Sequence, residues 1–234
     1  MNKFIFFIGV IAFSNSAFAQ KKKTYCTVVF ETIVNGKKIV LNDSNYTNAF
    51  NEKYTVSKLK FYVSNIHLIN PTNNKIKKTV YLIDASKTNT IKVSSSNNKI
   101  KGISFLLGVD SLDNCSGAQS GALDPLNDMF WTWNNGYIMF KLEGKSGSSK
   151  ADNNRIEHHI GGYKGANKTM RKIFLPIAEN YFKKNNIITI QLNLDSYWKG
   201  INQLQIAETA VITTPGGLAK KAADNFEGMF LIKE

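Results

Sequence analysis

The sequence predicts an all-β fold, a β-sandwich with long loops and one or two short helices. Three observations carry this. Apolar residues alternate with period two along most of the chain. Two Asn-Gly pairs, Asn35-Gly36 and Asn135-Gly136, stand beside such runs as hairpin signals. Helix signals are few.

The elements follow in chain order. Residues 1–19 read as a secretory leader, with Lys3 as the positive end, an apolar stretch over 4–13 and Ala17-Phe18-Ala19 as a small-x-small cleavage site before Gln20. The apolar stretch is too short to span a bilayer, which takes about 20 residues. The first cysteine after the cleavage site is Cys26, so a lipid anchor, which needs Cys immediately after it, is not expected. The expected product is a periplasmic or secreted protein, with 20–234 as one domain, since no internal repeat or linker marks a boundary. Alternation predicts strands over 25–33, 58–69, 79–83, 103–109, 137–142, 156–160 and 187–194. Asp124-Pro125 reads as an N-cap followed by Pro at the first helical position. Thr214-Pro215 reads the same way for a C-terminal helix running towards Asn225.

The charge is strongly basic, with 30 Lys and Arg against 17 Asp and Glu. Arg155 and Arg171 are the only arginines, and the lysines are scattered among asparagines rather than gathered into a patch. Nucleic-acid surfaces favour the bidentate guanidinium fork, so this composition argues against a nucleic-acid partner. Two cysteines in an exported chain can form one disulfide. A Cys26–Cys115 bridge would tie the first strand to the middle of the chain. Two separate thiols, or a thiolate ligand for a soft metal, are the competing readings.

No motif makes the chain an enzyme. His-Glu-x-x-His, Gly-x-Ser-x-Gly, a haem-attachment motif and a phosphate loop are all absent, and Asp110-x-x-Asp113 lacks calcium-loop spacing. Three histidines remain, His67 and the adjacent His158 and His159. Successive strand residues face opposite sides, so His158 and His159 cannot both serve one ion. Gly161-Gly162 follows at once, leaving space for a bulky group to approach. Trp131 and Trp133 are two apart and are expected to share a face with Met129. They can be core, a platform for sugar rings or a redox site. Trp198, in a loop or short helix, reads as packing.

"FYVSNIHL", "GVDSLDN", "GALDPLNDMFWTWNNGYIMFKLEG", "HIGGY" and the late "NFEGMF" occur in that order over nearly all of the chain after its leader. Together they resemble the MbnP-like copper-binding proteins, named after the methanobactin-associated periplasmic protein. The central Met-aromatic-Trp-x-Trp-x-x-Gly-Tyr motif is the specific part. The resemblance implies a β-rich exported protein that binds copper, in which a dihaem partner similar to cytochrome c peroxidases oxidises a tryptophan to kynurenine. Trp131, Trp133, Met129, Tyr137 and His159 fall in the matching stretches. The expected metal ligands are His159, His67 and Met129, and the expected modified residue is Trp131 or Trp133. Thr32 stands near where relatives carry a histidine, so one ligand is expected to be missing. Imidazole with thioether favours reduced copper. The alternative function is a glycan-binding or partner-docking sandwich without metal.

Overall fold

All seven alternating runs become strands. The computed structural model describes residues 24–42, 46–70, 76–95, 100–133, 136–178, 181 and 186–233. The leader, 1–19, lies outside the described residues. In chain order the strands are β1 (Thr24–Val34), β2 (Lys37–Lys38), β3 (Tyr46–Thr47), β4 (Lys53–Ile69), β5 (Val80–Asp84), β6 (Asn89–Ser95) and β7 (Gly102–Leu107). A short helix α1 (Ser111–Cys115) and two 3-10 turns lead into β8 (Phe130–Trp131) and β9 (Gly136–Lys145). Then come β10 (Arg155–Gly161), β11 (Arg171–Pro176) and β12 (Ile187–Asn193). The C-terminal part holds α2 (Asp195–Trp198), α3 (Ile206–Thr209), β13 (Val211–Ile212), α4 (Gly217–Asp224) and β14 (Phe230–Ile232).

Local chemistry explains the joints. Asn35 and Gly36 both take positive φ, 49° and 73°, the mirror-image turn that matches strand twist, and β1 folds back on β2 there. At the second signal Trp131 pairs with Gly136, while Asn135 lies outside the described residues. Asp124 accepts a hydrogen bond from the Leu126 N–H at 2.9 Å and Pro125 opens the turn behind it, as expected. The C-terminal helix starts later than Thr214-Pro215 suggests, with Gly216 as its N-cap and Gly217 as its first residue.

Two sheets result. In the smaller, β12 runs parallel to β1 on one edge and continues to β14, while β6 and β2 flank the other edge of β1. The larger runs β11-β7-β4-β9-β10-β13. Lys60 and Phe61 pair with both β5 and β9, and Val63 and Ser64 with both β5 and β7. Thus β9 and β7 lie end to end along one edge of β4, with β5 on the other. Four phenylalanines hold the sheets face to face. Phe30 of β1 meets Phe61 at 6.2 Å and Phe105 at 5.7 Å, and Phe230 of β14 meets the same two rings. Edge-on aromatic pairs of this kind add about 0.5–1.5 kcal/mol each beyond burial. The architecture is the expected β-sandwich.

The cysteines do not bridge. Cys26 is buried on the inner face of β1 and Cys115 is exposed at the end of α1, and both thiols are free. Burial pushes the Cys26 thiol up to about 11 against the lowering effect of the Ile188 N–H, which also argues against a thiolate ligand.

Candidate metal centre

The two neighbouring histidines face opposite ways, as alternation requires. His158 points into the core and is fully buried. Its Nε2 is 2.6 Å from the Thr209 carbonyl, which can only accept, so Nε2–H donates there and Nδ1 accepts from the Tyr197 hydroxyl at 2.7 Å. Trp198 packs edge-on against this ring at 5.5 Å. Burial holds His158 down at about 4, opposed by the Thr209 bond and aided by His159. Both nitrogens are engaged, so His158 is a structural imidazole. Trp198 is fully buried, which agrees with a packing role.

His159 belongs to the outer face of the larger sheet. Its Nε2–H donates to Glu143 Oε1 on β9 at 2.9 Å, and its Nδ1 is 3.7 Å from Glu157 Oε1 on its own strand. Glu143 is one corner of an ion ring. Lys58 Nζ is 2.8 Å from Asp128 and 3.0 Å from Glu143, while Lys141 Nζ is 3.0 Å from Asp128 and 3.6 Å from Glu143. Lys141 is 2% exposed, and a buried ammonium persists only with such partners. The His159 bond, with Lys58 and Lys141 and against the cost of burial, holds the Glu143 carboxyl down at about 2. Burial pushes Asp128 up, but Lys58 and Lys141 outweigh it and bring that carboxyl to about 2.

The tryptophan pair adjoins this face. Trp131 and Trp133 are in ring contact at 5.5 Å, but Trp131 is 6% exposed and Trp133 62%. A Cβ on Gly161 would stand 2.5 Å from the Trp131 indole, so the missing side chain is the seat of the ring. Gly161 is two residues beyond His159, about 6–7 Å along the strand. Gly161→Ala is therefore expected to cost about 1–3 kcal/mol and to push Trp131 outward. A lower melting temperature with a red-shifted tryptophan emission checks this. The two rings are tilted by 43° and only one is open, so they do not form a flat platform for sugars.

Other expected site residues lie elsewhere. His67 stands opposite Ser104 on β7, whereas His159 lies opposite Lys141 and hence level with Lys60 on β4. Seven residues of strand, about 23 Å, separate those levels, so His67 and His159 cannot share an ion. His67 Nδ1–H instead donates to the Asn65 carbonyl at 2.7 Å. Met129 is completely enclosed, with no face open to an incoming ion. Thr32 is buried on the side of β1 that bears Phe30, so it faces the interior and not the outer surface with His159. The expected His159, His67 and Met129 set is therefore not assembled.

Several motif residues prove to be latches. Asp110 caps α1 by accepting from the Leu112 and Asp113 N–H groups. Buried Asn114 donates to the Val109 carbonyl and accepts from the Tyr137 N–H at 2.9 Å. The Tyr137 hydroxyl lies 2.8 Å from the Leu123 carbonyl, and Met139 Sδ accepts from the Val109 N–H at 3.2 Å. These bonds hold the 110–131 segment on the outer face. The residues that sequence reasoning missed are Glu143, Glu157 and Lys141; period-two parity was the available signal for Glu157, whereas Glu143 and Lys141 come beside His159 only through the pairing of β9 with β10.

The fit to copper is thus one accessible imidazole with carboxylates beside it. Among the described residues no three His, Cys, Asp or Glu side chains are grouped to hold a metal ion. One imidazole with carboxylate and solvent suits a divalent ion.

A solved structure, MbnP from Methylosinus trichosporium, has a similar fold, with a TM-score of 0.56 and 15% identity over 84% of this chain and 82% of that chain. No curated protein sequence matches significantly. The MbnP family profile matches residues 23–215, which include every strand but β14, the ion ring and the tryptophan pair. The chain belongs to the MbnP family.

Proposed function

We propose that this chain is an exported copper-binding protein whose tryptophan pair is the substrate of an oxidising dihaem partner similar to cytochrome c peroxidases. The observation that supports it is the seating of the Trp131 ring on Gly161, two residues beyond His159 along β10, with Trp133 open to solvent in contact with Trp131. His159 anchors the ion, and copper there supplies a Lewis-acidic, redox-active centre. Trp133 is the exposed ring through which electrons leave, and Trp131 the ring that opens. In that oxidation the indole C2–C3 bond breaks, C3 becomes a ketone and the ring nitrogen an aniline amine. Two hydrogen peroxide molecules are consumed, and C2 departs as formate with one water. The two new polar groups would form on the ring seated at Gly161, two residues from His159. Export rests on the 1–19 leader, and among the described residues no helix is long and apolar enough to cross a membrane.

Copper content and peptide masses of the protein from its native host test this reading. The peptide containing residues 130–137 is expected about 4 Da heavier, the indole-to-kynurenine difference, where an oxidising partner acts on the site. Copper is expected to be stoichiometric and to fall to background in His159→Ala. An unmodified peptide with background copper in the wild type would return the chain to a metal-free sandwich.

A further inference from the structure

The larger sheet has an open edge at β5. The Asn65 N–H donates to the Thr79 carbonyl and the Ala85 N–H to the Leu59 carbonyl, which fixes the phase of the β4–β5 ladder. Tyr81 and Ile83 therefore bond β4, while Val80, Leu82 and Asp84 turn their N–H and C=O groups the other way. Asn89 meets Asp84, accepting from its N–H at 3.0 Å and donating to its carbonyl at 2.8 Å. For the outward groups of Val80 and Leu82 there is no partner among the described residues. β5 has neither proline nor bulge, so nothing in its own backbone refuses a further strand. A cleft of about 400 Å³ runs along it, closed by residues 87–91 and by Gly121, Ala122 and Asn127. That is within the roughly 300–1,000 Å³ of ligand clefts.

Lys60 reaches the same cleft from β4. Its ammonium donates to the Asn127 carbonyl at 3.2 Å and stands 3.7 Å from Asp84 Oδ2, beyond hydrogen-bond reach. The Asp84 carboxylate is engaged elsewhere, its Oδ1 accepting from the Ser86 N–H at 3.0 Å and the Ser86 hydroxyl at 2.6 Å. An ammonium carries three donors, so Lys60 keeps two for a ligand. Lys87 adds a second cation to the wall.

We propose that this cleft docks an extended acidic peptide segment of a partner protein, which adds to β5 as a strand and sets a carboxylate on Lys60. Two outward residues at period two are the complement of an extended backbone, whose main-chain bonds supply affinity while side-chain contacts supply selectivity. The cations select the charge. The excess of 30 Lys and Arg over 17 Asp and Glu draws such a segment in from a distance.

The test is titration of the isotope-labelled protein with an acetylated peptide alternating threonine and glutamate, followed by nuclear magnetic resonance and amide hydrogen exchange. The same peptide N-methylated at every residue, and one with lysine for glutamate, are the controls. The acidic peptide is expected to bind and to slow exchange at the Val80 and Leu82 amides, and both controls to bind about tenfold or more weakly. Lys60→Met is expected to lower affinity about tenfold or more, through loss of a charge-assisted bond. Leu82→Pro deletes one outward N–H and spares the β4 ladder, so it is expected to abolish binding. Lys60→Met decides the matter should Leu82→Pro melt early. Equal binding of the N-methylated peptide would overturn strand addition. Val80 and Leu82 amides already slow to exchange in the free protein would mean that the edge is covered, and no binding of the acidic peptide up to about 1 mM would remove the site.

Discussion

Gly144→Ala is expected to destabilise the protein more than any other single methyl addition. Gly144 is the last residue but one of β9, paired with Val56 on β4 and Ile156 on β10. A Cβ there would stand 1.9 Å from the Thr55 carbonyl oxygen and 3.2 Å from the Val56 Cα. Every close atom is backbone, so no rotamer change relieves the overlap. The pairing register shifts between Val56 and Lys58, and this bulge brings the Thr55 carbonyl against Gly144. Only a separation of β4 from β9 makes room, and those strands carry both the ion ring and the inner aromatic core. A loss of about 3 kcal/mol or more follows, a large share of the roughly 5–15 kcal/mol that holds a domain folded. Thermal unfolding followed by circular dichroism should show a melting temperature lower by about 6–12 °C. Gly147→Ala, where a Cβ meets nothing within 4 Å, is the control. A Gly144→Ala protein melting with the control would mean that β4 and β9 are not joined as described.

The second large effect belongs to His158, and it has a pH signature. His158→Ala leaves the Tyr197 hydroxyl and the Thr209 carbonyl buried without partners and opens a cavity beside Trp198. The expected loss is about 3–4 kcal/mol. In the wild type the folded ring holds off protonation until about pH 4, whereas an unfolded histidine titrates near 6.5. Between those values the unfolded chain binds the extra proton, so stability is fully present above about 6.5 and falls as the pH drops towards 4. The span corresponds to about 3 kcal/mol. Glu143 and Asp128 act in the same direction, but at lower pH, as acid approaches their values near 2. Urea unfolding of wild type and His158→Phe from pH 4 to 7 separates the two. The variant should be weaker throughout, with most of the slope between 6.5 and 4 removed. An unchanged slope would assign it to other groups. Because His158→Ala weakens the fold, a change in copper content in that variant has to be read against its folded fraction.

Parity made much of the fold legible and pairing hid much of the site. The tyrosine, isoleucine and valine alternation marks seven strands, and the His158/His159 split follows from the same rule. β6 escapes because only Ile91 and Val93 mark the buried face among asparagine, threonine, lysine and serine. β11 escapes because Ile173 and Leu175 are its only buried residues and Pro176 closes it. Parity also places Glu157 on the face of His159. That Glu143 lies across from Glu157, and that His67 sits at the far end of β4, depends on which strands pair, and local pattern does not encode partner choice. Met129 misleads for another reason. A thioether is equally at home in a core or on an ion, and burial alone separates the two.

The parallel pairing of β1 with β12 bears on how this chain becomes a protein. Glu31 and Gln191 touch across a gap of 160 positions. A chain emerging from its N-terminus, at a ribosome or a translocation channel, therefore displays β1 with one long edge unmet until nearly the whole polypeptide has appeared. Contacts so distant in sequence make folding slow, and an unmet apolar strand edge invites other chains. The smaller sheet is thus the last part to close, and its closure commits the molecule only once synthesis or passage is almost complete. Such a topology keeps the polypeptide open until its last third has joined it.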